Sequence, residues 1–245
     1  MYNRIKILGR ILVDALYPPA CAVCGKPLGR GERPPGIPGV HIGCFTRMLP
    51  VPEPSCCKCG KHIEDDMVYC KDCEESEHTF TQAVAAFEIN PELKDSLYRF
   101  KYKSRREYAA FFANSIYTAH KDLLRFWQPE LILPIPMYYK KERARGYNQA
   151  ALIARELGHS LGIPVNEETL VRTKKTAPLK DCTAHERRNI LAGVFELQED
   201  ISARKVLIVD DIYTTGATLD ACAAVLKQGG VTEVYGANVC TGAGV

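Results

Sequence analysis

Two groups of residues in this 245-residue chain have types and spacings that could do chemistry. The first is the run Val206-Leu-Ile-Val-Asp-Asp-Ile-Tyr-Thr-Thr-Gly-Ala-Thr218. Its four apolar residues, Val206 to Val209, predict a buried strand. Asp210 and Asp211 follow at the predicted carboxyl end, where open α/β sheets bind ligands. A short polar turn, Thr214-Thr215-Gly216-Ala217-Thr218, then leads into a predicted helix, Leu219 to Gln228. Hydroxyls and a glycine at a helix N-terminus favour an anion, because free backbone N–H groups and the helix dipole point outward there. Two carboxylates beside such a turn suit a ligand with vicinal hydroxyls and a phosphate. A ribose 5-phosphate has both.

The second group is the cysteines. Eight of the eleven lie before residue 80. Cys21/Cys24, Cys56/Cys59 and Cys70/Cys73 are C-x-x-C pairs, and His41/Cys44 has the same spacing with an imidazole in the first place. Thiolates so spaced grip a tetrahedral Zn²⁺ from one knuckle, and two knuckles close one site. Four pairs predict two structural zinc sites. The simplest pairing is Cys21, Cys24, His41 and Cys44 for one, and Cys56, Cys59, Cys70 and Cys73 for the other. A cross-braced pairing has the same spacings. Cys57 is read as a bystander. Residues 26–54 are rich in Pro and Gly and poor in periodic apolar residues, so metal binding must supply much of their folding energy. Residues 1–82 carry ten Lys or Arg and ten Asp or Glu. That neutrality argues against a finger gripping a phosphate backbone and for a structural or partner-binding module.

Elements must position both groups. The chain has a net charge of +3 and 25% charged residues, an ordinary globular balance that makes no case for a polyanionic partner. No apolar run approaches the ~18 residues of a membrane span, so no membrane insertion is expected. Lys6, Arg10 and Asp14 interrupt any signal-peptide core, while Leu8, Ile11, Leu12 and Ala15 recur at helical spacing. Residues 1–18 therefore read as an amphipathic helix docked on the protein. With no secretion signal, the thiols are expected to be reduced and the location cytoplasmic. Residues 19–78 form the zinc-ribbon module. Residues 80–245 alternate strands with helices. Strands are predicted at 82–89, 131–135, 193–197, 206–209 and 234–239, and helices at 91–102, 103–120, 149–161 and 219–228. This alternation means α/β, with a mainly parallel sheet flanked by helices. The segment from Arg172 to Asn189 is polar and aperiodic.

Competing readings of the acidic stretch fail on context. A receiver domain carries its acidic pair early, with more sheet to follow, whereas one helix and one strand follow here. The Gly-Lys-Ser/Thr ending of a Walker loop and the Gly-x-Gly-x-x-Gly fingerprint are both absent. The combination of apolar strand, two acids, an apolar pair and Thr-Gly-x-Thr resembles the phosphoribosyl diphosphate (PRPP) signature of type I phosphoribosyltransferases. Leu133-Pro-Ile-Pro136, Arg143-Ala-Arg-Gly-Tyr-Asn-Gln149, Glu186-Arg-Arg-Asn189 and Gly193-Val-Phe195 extend the match. Together they resemble the ComF family of competence-associated proteins, which also carries an N-terminal cysteine-rich zinc module. One departure is visible: this chain has Leu179 in Thr176-Ala-Pro-Leu179, where many members have glutamine.

The resemblance implies roles. Asp210 and Asp211 would hold the ribose hydroxyls and act as the catalytic carboxylates, one of them able to accept a proton. Thr214, Thr215, Gly216, Ala217 and Thr218 would wrap the 5-phosphate. Pro134, Ile135 and Pro136 would form the diphosphate loop, with Mg²⁺ bridging diphosphate and ribose oxygens. Arg172 to Asp181 would be a mobile loop, and Arg172, Lys174, Lys175, Arg187 and Arg188 candidates for the leaving diphosphate. Lys140, Lys141, Arg143 and Arg145 could add charge to the diphosphate loop. The acceptor stays unidentified. The family's link to DNA uptake implies two further partners, single-stranded DNA and a DNA-translocating protein. In that alternative the chain is a non-catalytic accessory factor using the fold as a phosphate-binding scaffold. Residues 94–108 bear on this choice, because between Lys94 and Arg106 six residues are basic and only Asp95 is acidic, with aromatics interleaved. They fit either base stacking on single strands or a helix with core aromatics and a solvated basic face.

Overall fold

The computed structural model describes residues 18–29, 33–176, 186 and 190–242. The helix expected over residues 1–18, apart from its last residue, lies outside the described residues. So do Arg187, Arg188 and 177–181 of the expected mobile loop.

The ribbon module contains two short helices, α1 (Ile42–Phe45) and α2 (Lys71–Glu74). Then follow β1 (Gln82–Glu88), α3 (Pro91–Tyr102), α4 (Tyr108–Trp127), β2 (Leu131–Pro134), α5 (Tyr139–Arg145) and α6 (Gln149–Leu161). The chain continues through β3 (Leu170–Arg172), β4 (Phe195–Leu197), β5 (Lys205–Tyr213), α7 (Ala217–Gln228) and β6 (Glu233–Thr241). β1, β6, β5 and β2 lie side by side in that order, all parallel. β3 and β4 form a separate antiparallel pair. Among the described residues, no helix is long and apolar enough to cross a membrane.

The central strand β5 is apolar because both of its faces are covered. Leu207 and Val209 face a core built with Leu97 and Phe100 of α3, Phe111 and Phe112 of α4, and Ile153 and Leu157 of α6. Val206 and Ile208 face the other core, with Cys222, Ala223 and Leu226 of α7. The ribbon divides between the two cores. Cys21 and Cys44 pack in the first, and Cys56, Cys59 and Cys70 in the second.

Helix boundaries follow their capping residues. Asn90 Oδ1 accepts from the Leu93 N–H at 2.8 Å and Pro91 opens α3. Asn148 caps α6 by accepting from Ala150 N–H, and Gly162 ends it at φ +72°.

Four expectations need correction. The acidic pair lies within β5, not after it, because β6 continues to pair as far as Tyr213 with Thr241. The helix expected from Lys103 begins at Tyr108, since Ser104 breaks the chain at φ +52°, and it runs on to Trp127. Arg172 is the last residue of β3 rather than the start of an aperiodic segment; three-residue strands are too short to show a period. The basic stretch 139–145, to which the periodicity assigned no element, is a short helix closed by Gly146 at φ +84°.

Candidate functional site

At the carboxyl end of β5 a cavity of about 540 Å³ opens between the sheet and α7. Its walls include Lys101, Ile135, Ile208, Asp210, Ile212, the whole 213–219 turn and Asn238. Successive strand residues point to opposite faces. Asp210 therefore shares the α7 side with Ile208, and its neighbour across the ladder is Asn238.

Asp211 takes the other side, is 5% exposed, and is ion-paired with Lys101 of α3. The two aspartates thus have opposite electrostatics. Burial, reinforced by the neighbouring Asp211 charge, holds Asp210 well above the usual carboxylate range. Burial also opposes ionisation of Asp211, but the Lys101 ammonium outweighs it and holds Asp211 below that range. The same pairing overcomes the burial of Lys101 and raises it.

The polar turn 214–218 crosses from β5 to α7. Gly216 is the N-cap of α7 at φ +77°, a conformation that disfavours side chains. α7 offers its first-turn N–H groups to the cavity, which suits an anion. Thr214 is exposed, Thr215 and Thr218 are half-buried, and Gly216 and Ala217 are buried.

The segment from Pro134 to Pro136 is buried and runs beside Asp210. Ile135 N–H donates to the Val209 carbonyl at 2.9 Å, and the Ile135 carbonyl accepts from Asn148 Nδ2 at 3.0 Å. The residue that caps α6 thereby fixes this loop too.

A second cavity of about 430 Å³ shares Lys101 with the first and adds Tyr102, Ser104, Lys141 and Arg145. Partial burial and the nearby Arg172, Arg145 and Lys175 cations push Lys141 down. Arg172 is lowered by burial and lies within electrostatic reach of Asp210. Lys101, Lys141 and Arg145 thus line the adjoining cavity, and Lys101 and Arg172 lie within electrostatic reach of Asp210, a concentration of positive charge that favours a polyanion.

Sequence reasoning read Lys101 only as part of a segment suited to single-stranded nucleic acid, and it missed Asn238. Lys101 is one of six cations between residues 94 and 106. Two of the others are structural. Arg99 donates to the Ala22 and Val23 carbonyls of the ribbon, and Arg106 donates to the Gly146 carbonyl at 2.8 Å. Asn238 did carry a signal, as a polar residue inside an otherwise apolar strand.

The two metal-ligand groups assemble in sequential order, not cross-braced. The donor atoms of Cys21, Cys24, His41 and Cys44 lie within 4.8 Å of one another, and so do those of Cys56, Cys59, Cys70 and Cys73. His41 Nε2 lies 3.2 Å from the Pro27 carbonyl, which leaves Nδ1 facing Cys24 and Cys44 at 3.6 and 3.8 Å. A backbone acceptor on the far nitrogen is how a liganding imidazole is oriented. Thiolates with at most one imidazole fit tetrahedral Zn²⁺. Cys57 is exposed and outside both groups.

Comparison with known proteins agrees with this geometry. Residues 12–74 match the double zinc ribbon domain and residues 144–243 the phosphoribosyl transferase domain. The chain is 31% identical to competence protein F of Haemophilus influenzae over 202 residues, covering 80% of this chain and 87% of the relative. This chain belongs to the ComF family of competence proteins. A further relative is the DNA utilization protein YhgH of Escherichia coli O157:H7, 26% identical over 89% of this chain and 94% of the relative. Among solved structures, a purine phosphoribosyltransferase from Pyrococcus horikoshii aligns at 23% identity and a TM-score of 0.33, covering 53% of this chain and 72% of that one. As a ComF family member the chain joins a zinc-bearing double ribbon to a phosphoribosyltransferase domain with a mainly parallel sheet and flanking helices.

Proposed function

We propose that this ComF family member binds PRPP in the cavity at the end of β5 and transfers its phosphoribosyl group to an acceptor. One observation carries the reading: Asp210, the 214–218 turn at the head of α7 and Ile135 of the 134–136 loop face one cavity. In this reading the turn's N–H groups and hydroxyls hold the 5-phosphate. Asp210 accepts from the ribose hydroxyls and offsets positive charge developing at the anomeric carbon. The acceptor's lone pair forms the new bond to that carbon as the bond to the diphosphate oxygen breaks. The diphosphate leaves as an anion toward Lys101, Lys141 and Arg145. Asp211 acts through Lys101, fixing where its ammonium points. The Asp210 carboxyl and the ligand's own oxygens are hard donors of the kind Mg²⁺ takes, and Mg²⁺ would supply charge compensation for the diphosphate. Much of the catalytic effect would be positioning.

Titration calorimetry with PRPP and Mg²⁺ tests this. The wild type binds and Asp210→Asn does not. Absence of wild-type binding would sink the proposal. Diphosphate release, screened over bases and amines, then separates turnover from binding alone.

A second reading has its own support. Tyr98 and Tyr102 are 53% and 61% exposed, with ring centroids 5.1 Å apart. The Arg145 guanidinium lies 5.0 Å from the Tyr102 centroid. Aromatics interleaved with cations suit single-stranded nucleic acid, and relatives are named for competence and DNA utilization. Single-stranded DNA would lie on this face, and the ribbon would dock a DNA-translocating protein. Fluorescence anisotropy across a salt series, with Tyr98→Ala plus Tyr102→Ala, tests it; unchanged binding by the double variant rules this face out. A cytoplasmic location fits free thiols arranged for zinc.

A further inference from the structure

The 214–218 turn rests on a floor that no part of this function uses. A methyl group on Gly216 would stand 2.6 Å from Tyr213 Oη, 3.0 Å from His78 Cε1 and 3.1 Å from Phe80 Cε1. The turn's backbone therefore sits directly on these three side chains. The His78 ring packs against Phe80 at 4.7 Å, and Phe80 meets Tyr213 edge-on at 6.2 Å. The ribbon presses on the same floor from below. Lys58 Nζ lies 5.2 Å from the Phe80 centroid and Lys61 Nζ 5.9 Å from that of Tyr213, and both lysines flank the ligand Cys59.

His78 is locked in place. Its side chain is 1% exposed, and Nδ1 lies 2.7 Å from Asp220 Oδ2. An ionised carboxylate only accepts, so Nδ1 is the donor. The other oxygen, Asp220 Oδ1, accepts from the Thr79 N–H at 2.7 Å. Asp220 stands in the first turn of α7, and its own N–H donates to the Gly216 carbonyl. A carboxylate at that place would compete with an incoming anion for the helix N-terminal amides and would repel it. His78 and Thr79 occupy both of its oxygens. His78 Nε2, Tyr213 Oη and Thr215 Oγ1 are buried and have no hydrogen-bond partner among the described residues. Three unsatisfied polar atoms around one turn are costly, and their retention calls for a role.

We propose that His78 is a positioning residue for the anion-binding turn: through Asp220 and Gly216 it fixes the turn's backbone N–H groups and withdraws the Asp220 carboxylate from them. This rests on the reading of that turn as a 5-phosphate site. The ribbon is then joined to the ligand cavity by a hydrogen-bonded link.

The experiment uses the full zinc-loaded chain, with ribose 5-phosphate as the probe. Metal content and thermal midpoint are measured for wild type, His78→Ala and His78→Asn, because an asparagine amide can still donate to Asp220. Hydrogen exchange of amides 214–218, measured without ligand, reads the turn itself. Expected are faster exchange at 214–218 and about ten-fold weaker ribose 5-phosphate binding in His78→Ala, the usual order for losing a partner that orients a binding group, with most of both effects reversed in His78→Asn. Wild-type exchange in His78→Ala, or no rescue by His78→Asn, overturns the proposal. If the wild type binds no ribose 5-phosphate, the functional reading falls, and exchange alone still decides whether His78 positions the turn.

Discussion

The two faces of the sheet at the end of β5 receive the same residue and treat it oppositely. On the α7 side Asp210 opens onto a cavity, pushed toward its neutral form by burial and by its neighbour. On the α3 side Asp211 is sealed against Lys101 and held ionised. One face keeps its carboxyl available for a ligand, and the other spends it on a cation that itself borders the cavity. The difference teaches that adjacent acids in a strand are not a pair. Pleating gives each its own surroundings, and the surroundings assign the task.

The largest effect expected from breaking this contrast is at Lys101. Lys101→Met leaves Asp211 as an uncompensated buried charge and should cost about 3–5 kcal/mol in denaturant unfolding. Adding Asp211→Leu should restore most of that loss. If Lys101→Met unfolds at the wild-type midpoint, the ion pair contributes little.

Gly216→Ala comes next. The positive φ and the contacts with Tyr213 and His78 together should cost about 2 kcal/mol. Ribose 5-phosphate binding should fall with it, while metal content stays at the wild-type value.

Asp210→Asn should change stability least. It should stay within about 1 kcal/mol of wild type and not below it at neutral pH, because it relieves a carboxyl already disfavoured by burial. Its PRPP binding, in contrast, should be lost.

pH sharpens the comparison further. Asp211 is depressed in the folded state, so its contribution to stability is present above the ordinary carboxylate value and is lost as pH falls through its lowered value. Asp210 is raised, so its contribution is full below the ordinary value and is lost as pH rises toward its elevated one. Stability profiles should show Asp211→Asn flattening the acid limb and Asp210→Asn removing a decline on the neutral side. For the wild type, PRPP affinity should rise with pH over the Asp210 window, with proton release detected by calorimetry in buffers of different ionisation enthalpy.

Much of this was legible in the residues. Spacing marked the four ligand pairs but left their grouping to the structure, and one apolar run with a Thr-Gly turn marked the cavity. The facing of Asp210 and Asp211 was hidden because the apolar run ends at Val209 while the ladder continues to Tyr213, and only β6 decides how far a strand extends. Lys101 was hidden among chemically equal neighbours; burial of Leu97 and Phe100 rotates α3 so that one lysine of several meets the sheet. His78 carried no local signal at all, since its partner lies 142 residues away. β3 and β4 were too short to declare a period.

The position of β6 has a consequence for how the protein is made on the ribosome. The last strand among the described residues lies in the middle of the sheet, between β1 and β5. β1 emerges from the exit tunnel long before its ladder partner, with Gln82 waiting for Tyr235. A nascent chain halted short of residue 233 therefore carries two bare parallel edges. Its ribbon, by then fully translated, can already take up metal. The ribbon is thus made before the long-range insertion of β6 that joins β1 to β5. Over that interval the unfinished chain exposes strand edges of the kind that chaperones shield.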